Sequence, residues 1–415
     1  MQMNAAAFIA AQAQIEFNKP VYSGKKLLRA AVETPFDHFK AAPPLILGPP
    51  GCGKTQIFGG GLARKLGRRF VYLCPSQRDP VDINGAILPE DGVAKHLIPD
   101  WQHTAKHAEE GSLLMFDEIT NCNGAQQASL LQIAHEGLTN AIIVLAANPT
   151  NQAADGNDLT PPMVNRLCVL EWELHASQWL TGLSSGFGDV DFPVLPPTWR
   201  NGIAETSALV QAYIHKHHSA LLRYPTNGEG GEDSRALAGK PWPSQRSWTN
   251  ALVMMAAARA CDLPKSEMQL VEAQLISGCI GEGGAKAFLQ WTRALDIPDI
   301  APMLKSLKQD SAGEWSCSKY KRVERSDVTL VICSNILSWV GANLDKETFE
   351  RGFGLLCVIA KEGDKEVASH IMGLMLAKGG SWFKLKEQNA TPRFPPYARK
   401  ELLPVLQKVT QGELQ

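Results

Sequence analysis

The fold follows from the segment Gly48-Pro-Pro-Gly-Cys-Gly-Lys-Thr55, which comes directly after the short apolar run Pro43 to Leu47. The segment fits G-x-x-x-x-G-K-[ST] at every fixed position, and this pattern is typical of a loop that binds phosphate groups. Its glycines allow the backbone to turn several N–H groups inward, toward anionic oxygens. The residues that follow, Gln56 to Leu66, are predicted to form a helix whose positive N-terminal end faces the phosphates. We therefore expect a strand, a phosphate-binding loop and a helix in succession.

The chemistry of this loop gives its polar side chains distinct roles. Lys54 can reach the β- and γ-phosphates of a nucleotide, and the hydroxyl of Thr55 can bind Mg²⁺. The alternative interpretation is an ordinary Gly/Pro turn between a strand and a helix, which requires neither side chain. The residues expected to contact the nucleotide are Gly48, Pro49, Pro50, Gly51, Cys52, Gly53, Lys54, Thr55 and Gln56.

A second part of the site is predicted at Asp117-Glu118, which ends the apolar run Leu113 to Phe116. An acidic residue at the carboxyl end of a strand lies at the edge where open α/β sheets bind ligands. Asp117 can hold Mg²⁺ there through water, beside Thr55. Glu118 can orient and polarise an attacking water, because phosphoryl transfer depends mainly on positioning and charge stabilisation. A solvated Asp-Glu turn is the alternative.

Two more polar side chains follow in the same half of the chain. Asn148 comes after the apolar run Ala141 to Ala146 and can hydrogen-bond the γ-phosphate or the attacking water, although Asn-Pro is also a turn dipeptide. Arg166 comes just before the apolar run Leu167 to Leu170. Its planar guanidinium can neutralise charge on a transferring phosphoryl group, on the nucleotide of a neighbouring subunit. The alternative is a surface arginine at a helix C-terminus.

These four elements, in this order, resemble the Walker A, Walker B, sensor 1 and arginine-finger positions of an AAA+ ATPase. The subgroup that they resemble is the MoxR-like family. The segment Trp242 to Trp248 is similar to the family's sensor 2 segment, in which Arg246 is the sensor; Gln245 stands where the family usually has proline. Ser277 to Gln290 is similar to the helix sequence that closes the family's lid. The resemblance covers residues 41 to 293.

The resemblance implies a fold, cofactors and partners. The fold is α/β: an AAA+ P-loop αβα core with a parallel sheet, then an all-α lid and a C-terminal, mainly helical region. The cofactors are ATP and Mg²⁺, and the partners are other copies of the chain in a ring, a hexamer in the family, and a protein client, commonly one with a von Willebrand factor A domain. A β-hairpin is expected near residues 87–95, where Asp91-Gly92 is a turn signal. The residues with implied catalytic roles are Lys54, Glu118, Asn148, Arg166 and Arg246.

The pattern along the chain predicts four regions: a helical segment over residues 1–40, the core over 41–200, the lid over 201–293 and a helical accessory region over 294–415. Strands alternate with helical segments in the core, and this alternation is typical of a parallel sheet with helices on both faces. A loop is expected from Tyr224 to Pro243, which is rich in glycine, proline and charge. The predicted core strands are Leu45–Leu47, Phe70–Leu73, Leu113–Phe116, Ala141–Ala146 and Cys168–Leu170.

Composition excludes several classes of protein. The formal net charge is -1, which removes the simplest argument for non-specific binding to nucleic acid. No stretch approaches the roughly 18 apolar residues of a membrane span. The nine cysteines include no CxxC pair and no zinc-site spacing, and we interpret them as reduced thiols of a cytoplasmic protein. The alanine-rich N-terminus has no basic leader, so secretion is not expected.

Two other functions compete with an ATP-driven ring that remodels, activates or assembles a partner protein. A nucleic-acid motor is expected to carry a cluster of Lys and Arg at the hairpin. Between Ile87 and Trp101, however, only Lys95 and His96 are basic. A nucleotide-dependent scaffold without hydrolysis has no need of Glu118. The basic and aromatic stretch Trp315 to Arg325 is interpreted as a solvated face rather than a nucleic-acid site.

Overall fold

A computed structural model of the protein describes twelve ranges of the chain. The loop predicted from Tyr224 to Pro243 lies outside the described residues up to position 238. The described ranges are 5–15, 21–23, 26–29, 39–138, 140–153, 156–173, 176–185, 192–222, 239–295, 297–343, 346–376 and 395–402.

The secondary structure alternates between strands and helices in the first half of the chain and is mainly helical afterwards. In chain order the strands are β1 (Val21–Ser23), β2 (Lys26–Arg29), β3 (Pro44–Leu47), β4 (Arg69–Leu73), β5 (Ala86–Glu90), β6 (Val93–Leu97), β7 (Ser112–Phe116), β8 (Ala141–Ala147), β9 (Cys168–Glu171), β10 (Leu307–Gln309) and β11 (Trp315–Cys317). The helices are α1 (Ala5–Gln12), α2 (Lys54–Gln56), α3 (Pro80–Asn84), α4 (Asp100–His107), α5 (Gly124–Glu136), α6 (Pro161–Val164), α7 (Ala176–Ser185), α8 (Ile203–Lys216), α9 (Gln245–Ala260), α10 (Lys265–Ile280), α11 (Glu282–Arg293), α12 (Ile300–Ser306), α13 (Ser326–Asn343), α14 (Lys346–Lys361) and α15 (Lys365–Leu376).

The chain divides into two compact units. The first comprises residues 1–17, 39–197 and 219–287, and the second comprises 18–38, 198–218 and 288–415. In the described part of the chain, no helix is both long and apolar enough to cross a membrane.

A five-stranded parallel sheet forms the centre of the first unit. Its strand order is β4-β7-β8-β3-β9, and every neighbouring pair runs parallel. All five residues of β7 are buried, as expected for a strand that is covered on both faces. The sheet confirms the predicted α/β core, and the structure places each predicted strand within one residue of its expected bounds at either end.

The helix after the phosphate-binding loop differs from the regular helix predicted over Gln56 to Leu66. α2 continues as a π-helix over Ile57–Ala63. Three consecutive glycines, Gly59 to Gly61, give this backbone the freedom for a wider turn. A Cβ atom at Gly59 would lie 2.6 Å from the ring of Phe70 on β4, so the glycine also allows the helix to approach the sheet closely.

The first helix, α1, is buried on every side. It packs against β3, β8 and β9 and against α9 and α10. The side-chain amide of Gln12 is satisfied there, because its Nε2 donates to the carbonyl of Pro193 at 2.7 Å and its Oε1 accepts from the N–H of Leu195 at 3.1 Å. α1 lies within the helical segment predicted over residues 1–40 and is an internal part of the first unit.

Helices dominate the second unit, which includes α8 and α12–α15. α13 packs against α8, α14 and α15, and the antiparallel pair β10–β11 packs on α14. At the closest approach, a Cβ atom at Gly354 would lie 2.6 Å from the ring of Trp315. The sequence interpretation predicted a C-terminal, mainly helical region, which α12–α15 confirm. It also assigned Trp315 to a solvated face, whereas β11 pairs with β10 and packs on the helix.

We expect Gly354→Ala to destabilise the second unit, because the added methyl group overlaps the indole ring of Trp315. Overpacking of this kind lowers the free energy of unfolding by about 1–3 kcal/mol. The expected result is a lower midpoint of urea unfolding. Gly283→Ala on α11 is the matched control, because a Cβ atom there meets nothing within 4 Å. An equal effect of both substitutions contradicts the packing argument.

Candidate nucleotide-binding site

The phosphate-binding loop leaves the sheet at the carboxyl end of β3. This strand lies between β8 and β9, so the loop starts where three strands end together. Open α/β sheets bind ligands at this edge. Gly51 and Gly53 have φ angles of 78° and 75°, which only glycine adopts without strain. The N–H of Gly48 donates to the carbonyl of Ala147 at 3.2 Å and ties the loop to β8.

Lys54 is buried and makes several hydrogen bonds across the loop. Its Nζ donates to the carbonyl oxygens of Gly48 at 2.6 Å and Pro49 at 3.1 Å. It also donates to Oδ1 of Asn148 at 3.0 Å, at the end of the neighbouring strand β8. The structure thus brings together two of the predicted site residues that are far apart in sequence. An ammonium group has three protons to donate, and these three oxygens can accept them.

Thr55 contacts the second predicted element of the site. Its Oγ1 donates to Oδ2 of Asp117 at 2.9 Å. Tyr72 on β4 also hydrogen-bonds Asp117, and burial, followed by the charge of Asp117, raises the pKa of the Tyr72 phenol to about 12. A hydroxyl and a carboxylate are oxygen ligands of the kind that Mg²⁺ prefers, so this pair fits a magnesium ion. Among the described residues, no cluster of three or more His, Cys, Asp or Glu side chains could hold a metal.

Glu118 has an unusual backbone conformation. Its φ of 58° lies in the left-handed region, which few residues other than glycine adopt. Such strain is concentrated at functional sites, where the surrounding contacts hold it. Here Oε2 accepts weak hydrogen bonds from the Cys74 thiol at 3.4 Å, the Ser76 hydroxyl at 3.4 Å and the Asn121 amide at 3.3 Å. The carboxylate is therefore held by neutral donors, without a paired cation among these contacts.

The sequence interpretation missed Tyr72, Cys74, Ser76 and Asn121. The first three belong to β4 and the turn after it, and β4 pairs with β7, which carries Asp117 and Glu118. Their position at the carboxyl end of a predicted strand was a usable signal. The order of the strands, which puts β4 beside β7, cannot be read from one sequence.

Arg166 comes two residues after the end of α6 and lies near Arg246, which is on α9. The amide of Asn165 donates to Oγ of Ser244, the N-cap residue of α9, at 2.8 Å. Burial, together with the positive charge of Arg246, lowers the pKa of the Arg166 guanidinium. Arg166 donates to the carbonyl of Pro162 at 2.7 Å. Within the described ranges, neither guanidinium hydrogen-bonds the phosphate-binding loop or pairs with a carboxylate.

The comparisons with known proteins agree with this geometry. Residues 43–167 match the family model described as "AAA domain (dynein-related subfamily)", so this part of the chain is an AAA domain. The model ends one residue after Arg166. No curated protein matches the chain.

One of the similar solved structures is that of a full-length MCM homologue from Methanopyrus kandleri. The two chains are 13% identical, with a TM-score of 0.34. The matched region is 67% of this chain and 58% of the MCM homologue, so the chain spans less than two thirds of that protein's length.

We expect the thiol of Cys122, close to Glu118, to resist alkylation in the folded protein. Cys122 is buried, and burial, followed by the electrostatic influence of Cys74 and Glu118, raises the pKa of its thiol to about 12. At pH 8 only about one molecule in ten thousand then carries the reactive thiolate. Iodoacetamide should leave Cys122 unmodified in the native protein but should modify all nine cysteines in concentrated urea, as measured by peptide mass spectrometry. Rapid modification of Cys122 in the native protein contradicts this environment.

Proposed function

We propose that the protein is a MoxR-like AAA+ ATPase, a ring that hydrolyses ATP to remodel, activate or assemble a partner protein. The observation that carries the proposal is the convergence of Lys54 with Asn148 and of Thr55 with Asp117. These contacts gather a cation, an amide, a hydroxyl and a carboxylate at one edge of the sheet. Phosphoryl transfer needs this combination of positioning groups and charge.

In the proposed reaction each residue has a defined task. The N–H groups of Gly51, Cys52 and Gly53 and the ammonium of Lys54 bind the phosphates, and Lys54 exchanges its bonds to loop carbonyls for bonds to phosphate oxygens. Thr55 and Asp117 would hold Mg²⁺, which neutralises phosphate charge when bound. Glu118 orients the attacking water and accepts its proton. Neutral donors around Glu118 hold its carboxylate in place.

The two arginines support action on a neighbouring subunit. Burial, followed by the positive charge of Arg246, lowers the pKa of the Arg166 guanidinium, so the two arginines lie close together. In the described ranges neither guanidinium hydrogen-bonds the phosphate-binding loop of its own chain. A head-to-tail ring brings such residues to the nucleotide of the next copy. We propose a homo-oligomeric ring on this basis, with six subunits as in the family resembled.

The hairpin β5–β6 supports a protein partner over a nucleic acid. Every residue of both strands is exposed, including the large apolar side chains of Ile87 and Val93. The only lysine of the hairpin, Lys95, pairs with Glu90 at 3.1 Å. A basic surface for phosphates is therefore absent from this hairpin, and its apolar residues suit contacts with a polypeptide client. A von Willebrand factor A domain in that client is an expectation from the resemblance.

We predict that Glu118→Gln binds ATP with unchanged affinity but hydrolyses it at least about 100-fold more slowly, because the variant loses the general base and keeps the loop. Phosphate release and calorimetric binding measure the two properties. Glu110→Gln, an exposed glutamate in a turn, is the matched control and should keep full activity. Chelation of Mg²⁺ should abolish hydrolysis in the wild type. Full activity of Glu118→Gln would falsify the assignment.

We predict that Arg166→Ala lowers hydrolysis by about 1000-fold and leaves ATP binding intact, because an arginine finger acts on the transition state. The exposed Arg322 in the second unit supplies the control, Arg322→Ala. In the wild type, specific activity should rise with protein concentration as rings form.

Mixing the two inactive variants tests whether Arg166 acts on the nucleotide of a neighbouring subunit or on that of its own subunit. A subunit with Arg166→Ala keeps Glu118, and a neighbour with Glu118→Gln keeps Arg166. In a randomly mixed ring of equal parts, about a quarter of the interfaces are then intact. Recovery of activity to about that level is expected, and no recovery contradicts a finger that acts between subunits.

A further inference from the structure

Trp172, the residue directly after β9, contacts the phosphate-binding loop at both of its ends. Its backbone N–H donates to the carbonyl of Leu47, the last residue of β3, at 2.6 Å. Its indole Nε1 donates to the carbonyl of Cys52 at 3.3 Å. The side chain is 1% exposed. One buried residue therefore joins the strand before the loop to the turn before Lys54.

The hydrogen bond to Cys52 meets a need that the loop itself creates. A loop whose N–H groups point inward to phosphates must turn carbonyl groups outward, and a buried carbonyl without a donor is costly. Cys52 is buried and lies between Gly51 and Gly53, both with positive φ. The flanking glycines leave the backbone here free to rotate, so the bond from Trp172 restricts the peptide after Cys52 to one orientation.

The backbone of Trp172 restricts the other end of the loop by contact. A Cβ atom at Gly48 would lie 2.7 Å from the carbonyl oxygen of Trp172 and 3.0 Å from its Cβ. Gly48 is the first fixed glycine of the phosphate-binding pattern, and its carbonyl accepts from Lys54 at 2.6 Å. The glycine is thus required for close packing on Trp172.

The indole ring is itself held by aromatic neighbours. Phe58, on the helix after the loop, lies 5.7 Å from it between ring centroids. Phe8, on the buried helix α1, lies 6.1 Å away in an edge-on arrangement. Both distances are within the range of favourable aromatic pairs. The donor nitrogen is therefore fixed in place by the core rather than by the loop that it contacts.

We propose that Trp172 is a positioning residue that sets the conformation of the phosphate-binding loop before a nucleotide binds. The inference rests on the proposed function, since it assigns a cause to the affinity of that site. Without the indole donor, the peptide after Cys52 samples other orientations, and binding must then restrict it. A loop that is already in its binding conformation avoids this entropic cost.

The test compares Trp172→Phe with Trp101→Phe. The first variant keeps an aromatic ring against Phe8 and Phe58 and removes the N–H that donates to Cys52. The second removes an equivalent bond in the same unit, from Trp101 Nε1 to the carbonyl of Asp82 at 3.2 Å, away from the loop. The measurements are calorimetric dissociation constants for ATP and ADP, kcat and KM for hydrolysis, and urea unfolding.

For Trp172→Phe we expect weaker binding of both nucleotides by about tenfold, equivalent to about 1.4 kcal/mol. KM should rise by a similar factor while kcat stays within about twofold, because uniform binding is lost and the catalytic groups remain. Trp101→Phe should keep wild-type affinity and KM, although both variants lose some resistance to urea.

The outcomes separate this inference from the proposed function. If the wild type binds nucleotide and Trp172→Phe binds it with unchanged affinity, the role of Trp172 is overturned but the proposed function is not. Equal weakening by both substitutions also overturns it, because the effect is then one of general stability. A wild type that binds neither ATP nor ADP overturns the proposed function and this inference together.

Discussion

The parallel pairing of β3 with β8 on one side and with β9 on the other is the constraint on which the first unit depends. Because all three strands run in the same direction, their carboxyl ends meet at one edge. The phosphate-binding loop follows β3, Asn148 follows β8, and Trp172 follows β9. Asn148 supplies a side-chain acceptor for Lys54, and Trp172 supplies an indole donor for the carbonyl of Cys52.

Local strain and burial at this edge are consistent with a preorganised site. Gly51, Gly53 and Glu118 all have positive φ. Glycine adopts this conformation without strain, whereas Glu118 adopts it at a cost in backbone energy. Contacts across the sheet balance that cost: the N–H of Asp117 donates to Leu73 on β4 at 2.9 Å, and the N–H of Glu118 donates to Oδ1 of Asp117 at 2.9 Å. The conformation of the acidic pair is thus stabilised by the neighbouring strand β4 and by the side chain of Asp117.

The second unit is built on a different principle. Glycine allows α14 to approach the strand β11 closely, at Gly354 against Trp315. The polar contacts of this unit join elements that are distant in sequence. Lys361 on α14 pairs with Glu314 before β11 at 2.5 Å, and Thr329 on α13 donates to Asp364 before α15 at 2.9 Å. These two contacts join residues that are 47 and 35 positions apart in the sequence.

The sequence by itself determined the elements whose signal is local: the phosphate-binding loop, the buried strands around it and the acidic pair at the end of β7. Their residue types are fixed by backbone freedom, hydrophobic burial and phosphate chemistry over a few adjacent positions. Only the tertiary structure decided which strands are neighbours, and hence that Lys54 meets Asn148, 94 residues away, and that Trp172 holds Cys52. It also decided that α1 is internal, because the alanine-rich sequence of this helix has no apolar pattern that predicts which elements it packs against. Contacts of this kind depend on strand order and packing, which local periodicity does not encode.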